Sequence, residues 1–113
     1  MALGPLTRVI VHVDDMAAEV EFYRETLGLE TDAEQDMWTT FVTGACTLAL
    51  HGGGRIGSSN ARLNFSVADL DAERAELEAR GVELTETREP APGVRVADLH
   101  DPEGNLVSLE ERS

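Results

Sequence analysis

Three histidines, nine arginines and one tryptophan are the side chains from which this 113-residue sequence could build a site. Read as alternating strands, their segments place His12 on the same face as Arg8, His51 with Ala49, and Glu110 with Ser108. Two imidazoles and a carboxylate, His12, His51 and Glu110, make a credible donor set for zinc, iron or manganese. The competing reading makes His12 a solvated rim residue and His51 the end of a strand beside a glycine-rich loop. His100, just before an Asp-Pro turn, reads as a loop residue. Arg8 and Arg62 point to different chemistry. A guanidinium fork takes carboxylate, phosphate or enolate oxygens bidentately, and two such groups in a partly closed space require anions. Those anions come from a ligand, or from the protein through an internal acid such as Glu110. Trp38 offers a stacking wall for a planar molecule, or serves as core or dimer interface. Asn64, Ser66 and Ser108 could orient ligand oxygens or face water. Cys46 reads as a small buried hydrophobe. No Ser/His/Asp or Cys/His arrangement for nucleophilic catalysis is discernible.

The elements that position these groups come from an internal repeat. Displacing the chain by 54 residues lays Arg8–Glu19 on Arg62–Glu73, pairing Arg8/Arg62, Val13/Val67, Asp15/Asp69, Ala18/Ala72 and Glu19/Glu73 as identities. Each copy opens with period-two alternation, as Val9, Val11 and Val13 in one and Leu63, Phe65 and Val67 in the other. Asp15 and Asp69 then stand where a helix N-cap belongs. Met16, Val20, Tyr23 and Leu27 recur at helical spacing, and Gly28 and Gly81 stop the two helices. Further strands are predicted near 30–34, 37–43 and 46–51, and near 83–88, 94–99 and 105–110, with turns at Gly44, Pro90–Gly93 and Asp101–Asn105. The charged run through Asp71–Arg80 reads as a solvated helix face with i,i+4 pairs. Gly52–Asn60 reads as a linker and not a phosphate cradle, since it joins strands and lacks a Lys-Ser/Thr ending. The expectation is a single α+β domain of two βαβββ modules, about 6–51 and 61–111, around the linker 52–60.

Composition narrows the partners. Twenty-two acidic side chains stand against nine basic ones, for a net charge of −13, and every basic residue is arginine. Nucleic acid is disfavoured as a target for so acidic a chain, because phosphate binding is driven by basic side chains. An anionic membrane is disfavoured for the same reason. No apolar run approaches the roughly 20 residues that span a bilayer. Met1–Pro5 shows no basic segment leading into an apolar one, so no export signal is expected. One cysteine permits no intrachain disulfide, which suits a reducing cytoplasm.

Val13-x-Asp15-Met16, Phe22-Tyr23-Arg24-x-x-Leu27-Gly28 and Asp101-Pro-Glu-Gly-Asn105 together resemble the vicinal oxygen chelate superfamily. That group includes glyoxalase I, bleomycin-resistance proteins, fosfomycin-resistance enzymes and extradiol dioxygenases. The resemblance runs from about residue 6 to 111 and implies sheets that curl into a cup, usually in a homodimer. It also implies four positions at which metal-binding members carry ligands, and these fall on Arg8, Ala49, Arg62 and Ser108. Arginine has no lone pair to give and alanine offers nothing, so no metal cofactor is expected at the usual site. Relative to those positions His12 lies four residues further along its strand, and His51 and Glu110 two.

Several functions remain open at this level. One is a metal-free binding protein that holds a small, planar or anionic organic molecule through Arg8, Arg62, His12, Trp38, Asn64, Ser108 and Glu110. Another is a lyase, isomerase or oxygenase with a displaced divalent metal on His12, His51 and Glu110. A third is metal-free chemistry in which arginines stabilise an enolate or carboxylate. The last is a non-catalytic dimer whose cup its own side chains fill.

Overall fold

The computed structural model describes residues 5–54 and 61–113, so most of the expected linker lies outside the described residues. The chain divides into two compact units, Met1–Ser58 and Ser59–Ser113. Each runs β-α-β-β-β, an α+β architecture stated twice.

In the first unit β1 (Arg8–His12) leads into α1 (Met16–Glu21), followed by β2 (Glu30–Gln35), β3 (Trp38–Val42) and β4 (Thr47–His51). The sheet order is β1-β4-β3-β2, with β1 parallel to β4 and the other neighbours antiparallel. Asp15 caps α1 by accepting from the Ala18 backbone N–H at 3.0 Å. Past Glu21 the helix widens into a π-turn over Phe22–Thr26, closed by Leu27 N–H donating to the Phe22 carbonyl at 2.9 Å. Gly28 then adopts a φ of +77°, a left-handed stop natural to glycine. The widened turn brings Tyr23 into the core, its ring 5.8 Å from that of Phe41. Val13, Val20, Leu48 and Leu50 complete that core.

The second unit contains β5 (Leu63–Ser66), α2 (Leu70–Ala79), β6 (Arg88–Ala91), β7 (Val94–His100) and β8 (Leu106–Arg112), in the order β5-β8-β7-β6. Asp69 repeats the cap, accepting from Ala72 N–H at 3.1 Å. Leu70 and Leu77 of α2 are buried, as are Ala97, Leu99, Val107 and Leu109 on one face of the sheet. Arg74–Glu78 and Arg80–Glu76 form the expected i,i+4 pairs, each at 3.9 Å. The turn before β8 is tied by Asp101, whose carboxylate accepts from Glu103 N–H and from both nitrogens of Asn105. Because both caps satisfy otherwise orphan donors, Asp69→Ala should cost about 1 kcal/mol, read as a shift in urea midpoint.

Two expectations need correction. The strand predicted at 83–88 forms at Arg88–Ala91 and contains Pro90. Proline donates no backbone hydrogen bond, and β6 tolerates it as the edge of its sheet, where only one flank pairs. Thr85 still reaches β7, through its N–H on the Asp98 carbonyl and its hydroxyl on the Asp98 N–H, without becoming a strand. Cys46 is half-buried, in the bend before β4 where the Thr43 hydroxyl caps its carbonyl, and not a core residue. Among the described residues no helix is long and apolar enough to cross a membrane.

Candidate functional site

Strand register decides which side chains share a face. In the first unit His12 stands opposite His51, and His51 opposite Trp38; one step along, Ile10, Ala49 and Thr40 align. Arg8 opens the same face. Phe41, Leu48 and Leu50 lie on the other side, in the core with Tyr23 and Val20. Four of the groups singled out by sequence thus meet on the face turned away from the helix. The His12 and His51 rings are 4.7 Å apart, centroid to centroid, at a tilt of 31°. The Trp38 ring stands edge-on to His51 at 6.0 Å. The Arg8 guanidinium lies over Trp38, 5.4 Å from the ring centre, a cation–π contact. Ala49 sits between them in the register, and its small side chain leaves headroom for the arginine to cross. Two apolar side chains of this face, Ile10 and Val42, stay about half exposed at 46% and 53%. Among the described residues no carboxylate pairs with Arg8.

The corresponding face of the second unit is a different chemistry. Asn64, Ser108 and Asp98 align across β5, β8 and β7, with Ser66, Glu110 and Val96 in the next row. Asp98 is the hub. It accepts from the buried Ser108 hydroxyl at 2.6 Å and from Arg88 at 2.9 Å, and Arg62 stands 4.0 Å away. Burial pushes the Asp98 carboxyl up, but the Ser108 hydroxyl and the Arg88 guanidinium, aided by Arg62, together hold it below the usual carboxylate value. Glu110 is also held low, first by the Arg112 guanidinium at 2.7 Å and further by Asn64 and the Arg62 charge. Arg62 is therefore matched by a protein anion, though Asp98 rather than Glu110 is its ion-pair partner. Ser108 is committed as a donor within this network. The two arginines that the repeat makes equivalent thus have unequal partners.

The low Asp98 value has a pH consequence. A carboxylate depressed in the folded state adds stability that is whole above its unfolded value and disappears as pH falls through the folded one. Wild type should therefore exceed Asp98→Asn in stability by about 1–2 kcal/mol at pH 7, since charged hydrogen bonds are lost. That margin should close below about pH 4, where carboxylates protonate; melting temperatures at a series of pH values measure it.

His12 and His51 do converge, whereas Glu110 belongs to the other unit and engages Arg112. Among the described residues, no group of three or more His, Cys, Asp and Glu side chains is placed to hold a metal ion. His100 is exposed at the end of β7.

Sequence reasoning missed Asp98 and Arg88; an acid on a strand built on Val94, Val96, Ala97 and Leu99 was the available signal for Asp98. It also missed a cleft of about 420 Å³ on the helix side of the first sheet, lined by Met16, Val20, Arg24, Glu34, Asp36 and Thr39. There Arg24 bridges Glu25 at 2.9 Å and Glu34 at 2.6 Å, which raises its already high pKa. The repeat pair Glu19/Glu73 also diverges, with Glu19 buried and Glu73 exposed.

The sequence profile of the glyoxalase-like domain matches residues 8–109. No match was found among curated protein sequences. Among solved structures, TnmS3, an antibiotic binding protein from Streptomyces sp. CB03234, superposes with a TM-score of 0.85 at 28% identity, over 100% of this chain and 99% of its own. A lactoylglutathione lyase from Agrobacterium tumefaciens gives 0.83 at 20% identity, over 98% and 96%. A glyoxalase/bleomycin resistance protein/dioxygenase from Nocardioides gives 0.81 at 17%, over 99% and 85%.

Proposed function

This chain belongs to the glyoxalase-like domain family, and on that footing we propose that it binds a small, planar organic anion on the Arg8–Trp38 face of its first unit. The observation that carries the reading is the guanidinium of Arg8, laid over the Trp38 ring with no carboxylate paired to it among the described residues. An exposed cation on an aromatic floor attracts an acidic group while the ring and the half-exposed Ile10 and Val42 take up an apolar body. The second unit's arginines already have Asp98 and Glu110, so they have less to offer a ligand. Arginine, alanine and serine at the positions of the superfamily's metal ligands favour binding over metal-assisted catalysis. The antibiotic-binding relative at 28% identity points the same way. We place the protein in the cytoplasm as a homodimer, in keeping with its single cysteine and its family.

Trp38, the chain's one tryptophan, supplies the assay. Titration with 1-naphthoate should quench its fluorescence saturably, and the neutral 1-naphthalenemethanol should bind at least tenfold more weakly. Equal binding of the two, or no saturation by either, would overturn the reading.

A further inference from the structure

We propose that His12 and His51 form a two-imidazole site for a late first-row divalent metal ion such as nickel or copper. The two residues are direct neighbours across the parallel β1–β4 ladder, so their side chains leave the same face together. Two nitrogens on one metal at ordinary bond lengths of about 2 Å lie roughly 3 Å apart. Ring centres 4.7 Å apart with a 31° tilt put both imidazoles within reach of one ion.

The second argument is tautomeric. His51 Nδ1 lies 2.6 Å from the Gly52 carbonyl. A carbonyl only accepts, so the proton resides on Nδ1 and the lone pair on Nε2. Backbone carbonyls commonly orient metal-binding imidazoles in this way. Gly52 is itself anchored, its N–H donating to the Met37 carbonyl at 2.9 Å, so the orienting group is fixed.

The chemistry of the surroundings selects the ion. Among the described residues no carboxylate joins the pair, so hard oxygen-seeking ions such as magnesium or calcium gain nothing here. Imidazole nitrogen prefers copper, nickel and zinc, with copper highest in the affinity order. With two protein ligands the metal keeps open positions for water or for oxygens of a bound molecule. Neither histidine occupies a position at which the superfamily's usual ligands stand.

Trp38 is well placed to report occupancy, with its ring 6.0 Å from that of His51. Nickel chloride alone, titrated into the full chain at pH 7.5, should quench Trp38 saturably, and EDTA should restore the signal. His12→Ala and His51→Ala should each weaken the titration at least tenfold, and His100→Ala should leave it unchanged. In the unaltered chain, the imidazole NMR signals of His12 and His51 should broaden at lower nickel concentrations than those of His100. Absence of saturable quenching, unaltered quenching in the His12→Ala/His51→Ala double variant, or earlier broadening of His100 would each overturn the site. The naphthoate experiment is independent of it, since nickel here is added without any organic ligand.

Discussion

Phe41→Ala should destabilise the first unit by about 3–5 kcal/mol, the loss that follows removal of a large buried aromatic side chain. Phe41 is fully buried in β3, opposite Leu48 of β4 on one flank and Thr31 of β2 on the other. The sheet backbone behind it is pinned by hydrogen bonds from both neighbours, and Tyr23 in front is set by the π-turn. Neither wall can collapse into the space the ring leaves. Since whole domains are stable by only about 5–15 kcal/mol, this change consumes a large share of the total. Ile10→Ala, on the opposite face and about half exposed, should cost less than about 1 kcal/mol. Urea denaturation followed by circular dichroism compares the two directly. Equal midpoints would mean that the face assigned to the core is wrong.

Arg8→Glu should weaken 1-naphthoate binding at least 100-fold, about 2.7 kcal/mol at room temperature. Among the described residues of that face, the substitution removes the one group able to fork onto a carboxylate, and puts a repelling charge near the aromatic floor. Arg62→Glu provides the contrast. Arg62 is 48% exposed at its side chain and already shares the Asp98 carboxylate, so its reversal should change naphthoate affinity less than threefold. Calorimetric titration of both variants decides the matter without relying on Trp38 emission. If the two reversals weaken binding equally, the first unit has no special claim on the ligand.

The architecture was legible because its signals are local. Asp15 and Asp69 each precede an apolar helical pattern and each cap a helix, and the repeated alternation after Arg8 and Arg62 yields equivalent first strands. The strand at 88–91 escaped notice because proline argues against strand unless the segment is known to be an edge, and edges are a property of sheet order. The gathering of Arg8, His12, Trp38 and His51 was only partly legible. Parity along each strand gave each residue a face, but bringing three strands side by side requires register, which depends on long-range pairing. Asp98 was hidden for the same reason. Its partners Arg88 and Ser108 lie ten residues away in opposite directions along the chain, and only the meander of β6, β7 and β8 unites them. Identity between repeats also misled in part. Arg8 and Arg62 match in sequence, yet one rests on an aromatic ring and the other beside an acid.

Pro90 in β6 has a bearing on how the protein behaves when concentrated. In the second sheet β6, one of its two edge strands, carries a residue that cannot donate to an incoming chain, followed by Pro92 in the turn. In the first sheet β2, one of its two edge strands, presents Glu30, Asp32 and Glu34 along a short, solvent-facing run. A neighbouring molecule seeking to add a strand meets a missing donor at β6 and a row of like charges at β2. Strand addition is thus discouraged at the β6 and β2 edges, with no cost to the faces that carry the arginine, tryptophan and histidines.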